Sequence, residues 1–424
     1  MQDFARNEWR SALYRSNREK PIHNLHDMLR GSILRGAIAF GALFCAAQMI
    51  SAQTTPLPPG TVIDHSLAST QKFIGSPSIS IQPDGTYVAT HDEFGPGSTE
   101  YMQGITHVFQ SKDRGVSWRE VTRINAFWGT LFQSNGILYL IGTNRNSGWV
   151  QIVKSSDNGV TWTRPTSTSR GVLLPEGKYQ LGPGAVLISG GRVWKAVEDI
   201  DPNNWSFGYR AMVMSAPVGS DLLQASNWKI SNRVPGVSTM YNSKFGGWLE
   251  GNVVASPSGG IVDILRVTVS NYEEIVATLN STPNGATLSY DKSKLFSIMP
   301  GGCKKFTIRY DTVSHKYWTL ANRVAPSNRK RDPIAMRNEL DLMWSTDLVN
   351  WTTAGALDYH ADYLYHGFQY ADWQFDGNDL VAVVRVAFDD ESGGAATFHD
   401  ANFLTFQRIA NFRSWTGAMH NTSP

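Results

Sequence analysis

From Phe73 onward, short apolar runs recur in pairs, each pair joined by a tight polar turn. Ser78–Gln82 turns at Pro83-Asp84-Gly85 into Tyr87–Thr90, and Thr130–Gln133 turns at Asn135-Gly136 into Ile137–Ile141. Ala185–Ile188 returns as Val193–Val197, Asn252–Ala255 as Ile261–Leu265, Phe306–Tyr310 as Tyr317–Ala321, and Asp372–Phe375 as Leu380–Val384. Gly and Asn in these turns supply the positive φ that a tight hairpin requires. No segment between Gln53 and Pro424 carries a convincing helical pattern. The hairpins recur at spacings of about 50 to 70 residues, each followed by one or two further strand-like runs, as blades of four strands around an axis do. The pattern predicts an all-β chain folded as a six-bladed β-propeller. Thr61–Ile74 is a spare strand that would complete the last blade beside Ala401–Ile409 and close the ring. A pair of β-sandwiches is the competing arrangement.

Composition changes the picture little. The chain has 424 residues, 41% hydrophobic and 17% charged, enough for a large core. Length alone suggests two or three domains, but closed all-β folds often run long as one. A formal net charge of +2 is too near neutral to predict nucleic-acid or membrane-surface binding. Fourteen Trp, fifteen Tyr and nineteen Phe suit short strands and also sugar-binding surfaces, where flat rings stack on pyranose faces.

Arg30 and Arg35 precede an apolar run, Ala37–Ile50, that leads into Ser51-Ala52-Gln53, the order of a secretory signal. At about 14 residues the run is short for a bilayer span. The expected division is a leader over 1–27, a signal peptide over 28–52 starting at Met28, and a single propeller over 53–424. The product would be secreted or periplasmic, without stable membrane insertion. A cytosolic protein with a buried N-terminal helix is the alternative. Processing removes Cys45 and leaves Cys303 alone, so no disulfide is expected. No cofactor or metal is expected. The acidic loop Asp389-Asp390-Glu391 carries no ligand spacing.

In a propeller, the start of each inner strand and the end of its return strand share one face around the axis. That topology gathers Gly75, His91 and Asp92 from blade one, Trp128 and Asn144 from blade two, and Tyr179, Glu198 and Asp199 from blade three. Blade four adds Glu250 and Arg266, blade five Lys304, Lys305 and Asn322, and blade six His366, Tyr370 and Arg385. Acids, bases and rings in one place suit a glycan site. Duller roles stand beside these. His91-Asp92 can cap a strand end, Glu250 and Arg266 can form a structural ion pair, and Tyr370 can be a core tyrosine. Glu198-Asp199 read as a solvated loop, and Lys304-Lys305 equally as an exposed charge pair.

Two segments read Ser-x-Asp-x-Gly-x-x-Trp, at Ser111–Trp118 and Ser155–Trp162, with a looser copy at Ser345, Asp347 and Trp351. These resemble the Asp boxes of the sialidase superfamily, and the resemblance runs through roughly Phe73 to Phe412. It implies a six-bladed propeller that removes terminal sialic acids. In that family three arginines bind the sugar carboxylate, a tyrosine assisted by a Glu is the nucleophile, and an Asp is the acid/base. Glu250, Gly259-Gly260 and Arg266 are similar to the family's Glu-to-Arg segment. Arg337-Asn338-Glu339-Leu340-Asp341-Leu342 enters the Ser345 turn as the third arginine does, and Tyr370-Ala371-Asp372-Trp373 resembles the stretch with the nucleophile. Blade one departs from the pattern: where the family has Arg-Ile-Pro, this chain has Gly75-Ser76-Pro77.

The resemblance implies an exo-acting glycoside hydrolase on an acidic or modified glycan. Tyr370 would be nucleophile and Glu250 its base, with Asp92 beside His91 as the acid. Arg266 and Arg337 would hold the carboxylate, and Arg385 is the cation placed to replace the missing one, with His366 nearby. A polysaccharide lyase acting on uronic acids, using Tyr or His as base, is the first alternative. A non-catalytic glycan-binding propeller is the second. The expected partner is the glycan alone, and the expected state is a monomer.

Overall fold

A computed structural model describes residues 57–200, 208–271, 273–325, 328 and 331–415. The expected leader and signal peptide lie outside the described residues. Six antiparallel sheets follow one another along the chain. Blade one comprises Phe73–Ile74 with Ser78–Ile81, then Tyr87–Phe94, Thr106–Ser111 and Arg119–Ile124. Blade two runs from Phe127–Ser134 through Ile137–Thr143 and Val150–Ser155 to Val172–Leu174. Blades three, four and five are built around the hairpins Leu187–Ser189/Arg192–Ile200, Phe245–Ala255/Ile261–Val269 and Thr307–Asp311/Lys316–Ala321. Blade six pairs Gly367–Asp376 with Asp379–Ala387, and Asp379–Ala387 with Phe403–Ile409.

Its fourth strand comes from the other end of the described chain. Thr61–His65 pairs antiparallel with Phe403–Ile409, Thr61 opposite Phe406 and His65 opposite Phe403. Closing the ring this way supplies the last blade's outer strand, a short edge of five residues, and spends one strand's ladder on holding first and last segments together. The seam between blades six and one is then filled by Ile63, Ile79, Tyr87, Ala89, Val381, Val383 and Phe406. The next seam holds Val88, Val108, Leu131 and Leu140. Successive residues of Tyr87–Phe94 thus face different neighbours, as the period of two requires.

Polar side chains stitch the inner strands to one another. Asp372 Oδ2 accepts from Ser78 Oγ at 2.7 Å and from the Ile79 amide at 3.0 Å, and Ser78 Oγ in turn accepts from the Leu131 amide at 3.0 Å. Asn252 Oδ1 accepts from the Ile308 amide at 3.0 Å. At a propeller's centre the strands splay, and side chains replace the ladder bonds that neighbouring blades cannot make directly.

The Ser-x-Asp-x-Gly-x-x-Trp segments form near-identical turns between the third and fourth strands of blades one and two. Asp113 accepts from the Ser117 amide at 2.9 Å while Ser111 Oγ accepts from the Gly115 amide at 2.8 Å, and Asp157, Thr161, Ser155 and Gly159 repeat both distances. The third copy is one residue shorter and has no Gly; Leu348 takes φ 65° there and its amide donates to Ser345 Oγ at 2.8 Å. Helix is confined, among the described residues, to single turns such as Met240–Ser243. No helix described is long and apolar enough to cross a membrane.

Candidate active site

Three inner strands are each interrupted by a residue in the left-handed region: Trp128 (φ 50°), Glu250 (φ 57°) and Tyr370 (φ 56°). Each sits in a register shift, between Phe127 and Thr130, Leu249 and Asn252, and Gln369 and Asp372. A bulge re-aims side chains that regular alternation would bury in the sheet. For bulky residues this backbone is strained, which marks the three positions for attention.

The bulges bring two of the three side chains together. Tyr370 Oη donates to Glu250 Oε1 at 2.8 Å, and Arg266 Nη1 donates to Glu250 Oε2 at 2.6 Å while standing 3.4 Å from Tyr370 Oη. Burial raises the Glu250 carboxyl, but the charge and hydrogen bond of Arg266 outweigh it and hold it below its ordinary value. Glu250 is therefore an ionised acceptor aimed at a phenol proton. Gly182 of blade three makes room: a Cβ there would lie 2.6 Å from Glu250 Cβ.

Two further guanidinium groups flank the ring. Arg385 lies 5.0 Å and Arg337 5.7 Å from the Tyr370 centroid, and Arg385 also covers Phe94 at 4.4 Å. Arg337 Nη1 donates to Gln369 Oε1 at 2.5 Å and Nε to the Ile334 carbonyl at 3.1 Å, while Arg385 donates to the His399 carbonyl. Neither makes an ion pair among the described residues, although Arg337 is 3% and Arg385 5% exposed. Arg385 Nε has no hydrogen-bond partner there. Burial lowers both guanidinium groups, Arg385 to about 10. Buried cations lacking a protein carboxylate are costly unless an anion completes them.

Tyr370, Glu250, Arg266, Arg337 and Arg385 are therefore brought together. His91, Asp92 and His366 are not. His91 points into the seam with blade six, its Nε2 2.7 Å from Asp64 Oδ2. Asp92, the next residue in the strand, points the other way, towards blade two. It accepts from Thr106 Oγ1 at 2.7 Å and from the Trp128 amide at 2.6 Å, with no exposed surface. Burial raises its carboxyl to about 7, yet the geometry makes it the anchor of the Trp128 bulge rather than a group facing solvent. His366 stacks on His360 at 3.5 Å and approaches Asp362 and Asp389 at 3.3 and 3.5 Å. Gly75 packs against Asp92, and a Cβ would meet its carbonyl oxygen at 2.7 Å, so no arginine fits at that position.

Other expectations shift as well. Glu198 is buried within Arg192–Ile200 and accepts from the Gly251 amide at 2.8 Å, directly behind Glu250. Lys304 and Lys305 are both buried; Lys304 Nζ reaches Glu274 at 3.1 Å and the Pro333 carbonyl at 2.8 Å. Gln369, Phe94 and the Phe398–His399 loop shape the site without having been singled out. Only Gln369 had a signal in sequence, its place beside Tyr370. The loop residues follow no repeat.

No protein-family model and no curated protein matches this sequence. Solved structures do. The α-L-arabinanase of Penicillium chrysogenum complexed with arabinobiose aligns with TM-score 0.52 and 13% identity over 84% of this chain and 98% of that one. The Hadza microbial sialidase Hz136 gives 0.55 and 15%, over 83% and 68%. Trypanosoma rangeli sialidase gives 0.53 and 16%, over 84% of this chain and 59% of its own. The fold is the six-bladed propeller that sialidases and arabinanases share. Blade count and closure are thereby established for this chain, while the chemistry rests on its own residues.

Proposed function

We propose that this protein is an exo-acting glycoside hydrolase that removes a terminal sugar bearing a carboxylate. One observation carries the reading: two buried guanidinium groups that make no ion pair among the described residues, Arg337 and Arg385, flank a tyrosine hydrogen-bonded to an ionised glutamate. A sugar carboxylate would complete both cations by charge-assisted bonds. Glu250 Oε1 takes the Tyr370 proton as the phenolic oxygen bonds to the anomeric carbon and the bond to the leaving oxygen breaks, that oxygen taking a proton from water. Water then hydrolyses the aryl glycoside and Tyr370 recovers its proton. A neutral nucleophile avoids the repulsion that a carboxylate would meet beside an anionic substrate. Arg385 takes over the cationic role for which Gly75 has no room. Export is proposed on the Arg30–Ala52 segment, and a secreted chain beginning at Gln53 is its check.

The lyase alternative loses support because its candidate histidines, His91 and His366, are engaged away from Tyr370. The deciding experiment incubates the protein with an aryl sialoside, an oligosaccharide ending in a uronic acid, and an aryl arabinoside, with mass detection of products. Release of an acidic sugar with addition of water is the expected result. Release of arabinose alone would remove the acidic-sugar reading. An unsaturated product would establish a lyase, and retention without turnover would leave a glycan-binding propeller.

A further inference from the structure

The blade-one side chains that miss Tyr370 form a second constellation at the seam of the ring. Asp64 belongs to the closing strand, while His91 and His107 stand opposite each other on adjacent strands of blade one. Their imidazoles are stacked, 4.6 Å between centroids and 11° between planes, and both are almost fully buried. One donor atom from each of Asp64, His91 and His107 lies within 4.8 Å of the others.

The hydrogen bonds around the rings decide which nitrogens face inward. His91 Nδ1 is 3.1 Å from the Asp92 carbonyl, which can only accept, so Nδ1 carries hydrogen. Its Nε2 faces Asp64 Oδ2 at 2.7 Å. His107 Nε2 meets Glu93 Oε1 at 2.9 Å, and that carboxylate is also paired with Lys72 at 3.1 Å. His107 Nδ1 is then left 2.9 Å from Glu120 Oε1, in a geometry that makes no hydrogen bond. Each imidazole has one nitrogen bound to a fixed acceptor and the other turned to a carboxylate. In a neutral ring that second nitrogen bears a lone pair, and a lone pair against a carboxylate oxygen needs a cation between them. Histidines that ligate metals are oriented in this way by an acceptor on the far nitrogen.

We propose that Asp64, His91 Nε2, His107 Nδ1 and Glu120 bind one divalent transition-metal ion, Zn²⁺ by donor chemistry, which clamps the closing strand to blade one. Two imidazoles and two carboxylates suit Zn²⁺ and disfavour Ca²⁺ or Mg²⁺, which take oxygen ligands. Bonds of about 2.0–2.2 Å in a tetrahedron place neighbouring donors roughly 3.3 Å apart. Donor atoms of Asp64, His91 and His107 already lie within 4.8 Å of one another, whereas Glu120 pairs with Arg123 at 2.5 Å and must leave that pair to complete the tetrahedron. Both carboxylates can move, since the Asp64 and Glu120 side chains are 29% and 34% exposed. Such an ion would bind the folded ring and not the open chain, so its binding free energy adds to stability.

The test uses the whole chain, stripped with a chelator and dialysed against Zn²⁺ or Mg²⁺. Bound metal is measured by mass spectrometry and melting temperature by calorimetry. One Zn²⁺ per chain and a rise of several degrees are expected, with no response to Mg²⁺. Asp64→Asn, a part-exposed and nearly isosteric change, should lose that equivalent of metal and most of the rise, and His107→Ala should do the same. No retained Zn²⁺ in the unaltered protein would overturn the proposal, leaving the imidazoles as protonated partners in ordinary ion pairs. Equal retention and an equal melting shift in Asp64→Asn would overturn it too, placing the metal elsewhere.

Discussion

The two ends of the propeller treat charge in opposite ways. At the hairpin-turn end, Asp376 accepts from Tyr87 at 2.6 Å and from Arg114 and Arg408 at 2.7 Å each, with Arg408 also 2.9 Å from Asp379. Asp311 is held there by two nitrogens of Arg413, at 2.7 and 2.9 Å. At the other end, where Arg266 pairs with Glu250, Arg337 and Arg385 are more deeply buried than Arg408 and Arg413 and, among the described residues, donate to neutral acceptors only. Complete pairing is what a structural network needs, since an orphaned partner is what costs most. Cations kept incomplete inside a fold fit a site whose last partner is a ligand. The contrast singles out the candidate site independently of any resemblance.

Breaking the incomplete end should alter activity far more than stability. Tyr370→Phe removes one hydroxyl and leaves the ring packed. Turnover should fall roughly 10²–10⁴-fold, with the melting temperature nearly unchanged. Steady-state kinetics and calorimetry on the same preparation check both halves. Arg385→Ala should weaken an acidic substrate by about 10- to 150-fold, the worth of a charge-assisted hydrogen bond. Stability should hold or rise, because a buried cation without a carboxylate is removed. A neutral aryl glycoside should be insensitive, and an equal loss on both substrates would erase the contrast.

The paired end should respond in reverse. Asp376→Asn disrupts three bonds and should cost about 1–3 kcal/mol at pH 7 without changing KM. Burial opposes the ionised form of Asp376, but Tyr87, Arg114 and Arg408 outweigh it and bring the carboxyl to about 2. Its folded value is thus depressed, so the stabilisation is present above the unfolded value near 4 and disappears as pH falls towards 2. Denaturation curves of the variant and the parent should converge there. The subtlest expected effect, visible only as a change with pH, belongs to Glu198, behind Glu250. Burial, then the Glu250 charge, raises its carboxyl to about 7. A raised acid favours the fold below its unfolded value and loses that contribution as pH climbs through 7. Glu198→Gln should therefore gain roughly 2 kcal/mol relative to the parent between pH 5 and pH 8, read from urea midpoints.

Much of the ring was legible along the chain. Each predicted hairpin lies on an observed one, from Ser78–Ile81 with Tyr87–Phe94 to Gly367–Asp376 with Asp379–Ala387. Turn chemistry and two-residue alternation are local, and local signals survive in sequence. The grouping of the candidate site was legible where residues sit at corresponding strand positions, since Glu250, Arg266, Arg337, Tyr370 and Arg385 do come together. It was misread in blade one. His91 and Asp92 are neighbours in one strand and must face opposite sides, so they could not serve a single pocket together. His366 precedes its strand, in a stretch where no period fixes direction.

Sequence alone determined the all-β class, the number of hairpins, the Ser/Asp turns and the strand left over for closure. All of these follow from short-range geometry that a few residues impose on themselves. Only the tertiary structure decided which charges stay incomplete, because partners 120 residues apart, such as Glu250 and Tyr370, meet only when blades four and six flank blade five around the axis. It also decided the bulges that turn those two side chains inward. A left-handed glutamate or tyrosine has no local preference for that conformation and is held there by the ring around it. The stacked histidines at the seam have the same origin: Asp64 reaches His91 only because the first described strand completes the last blade.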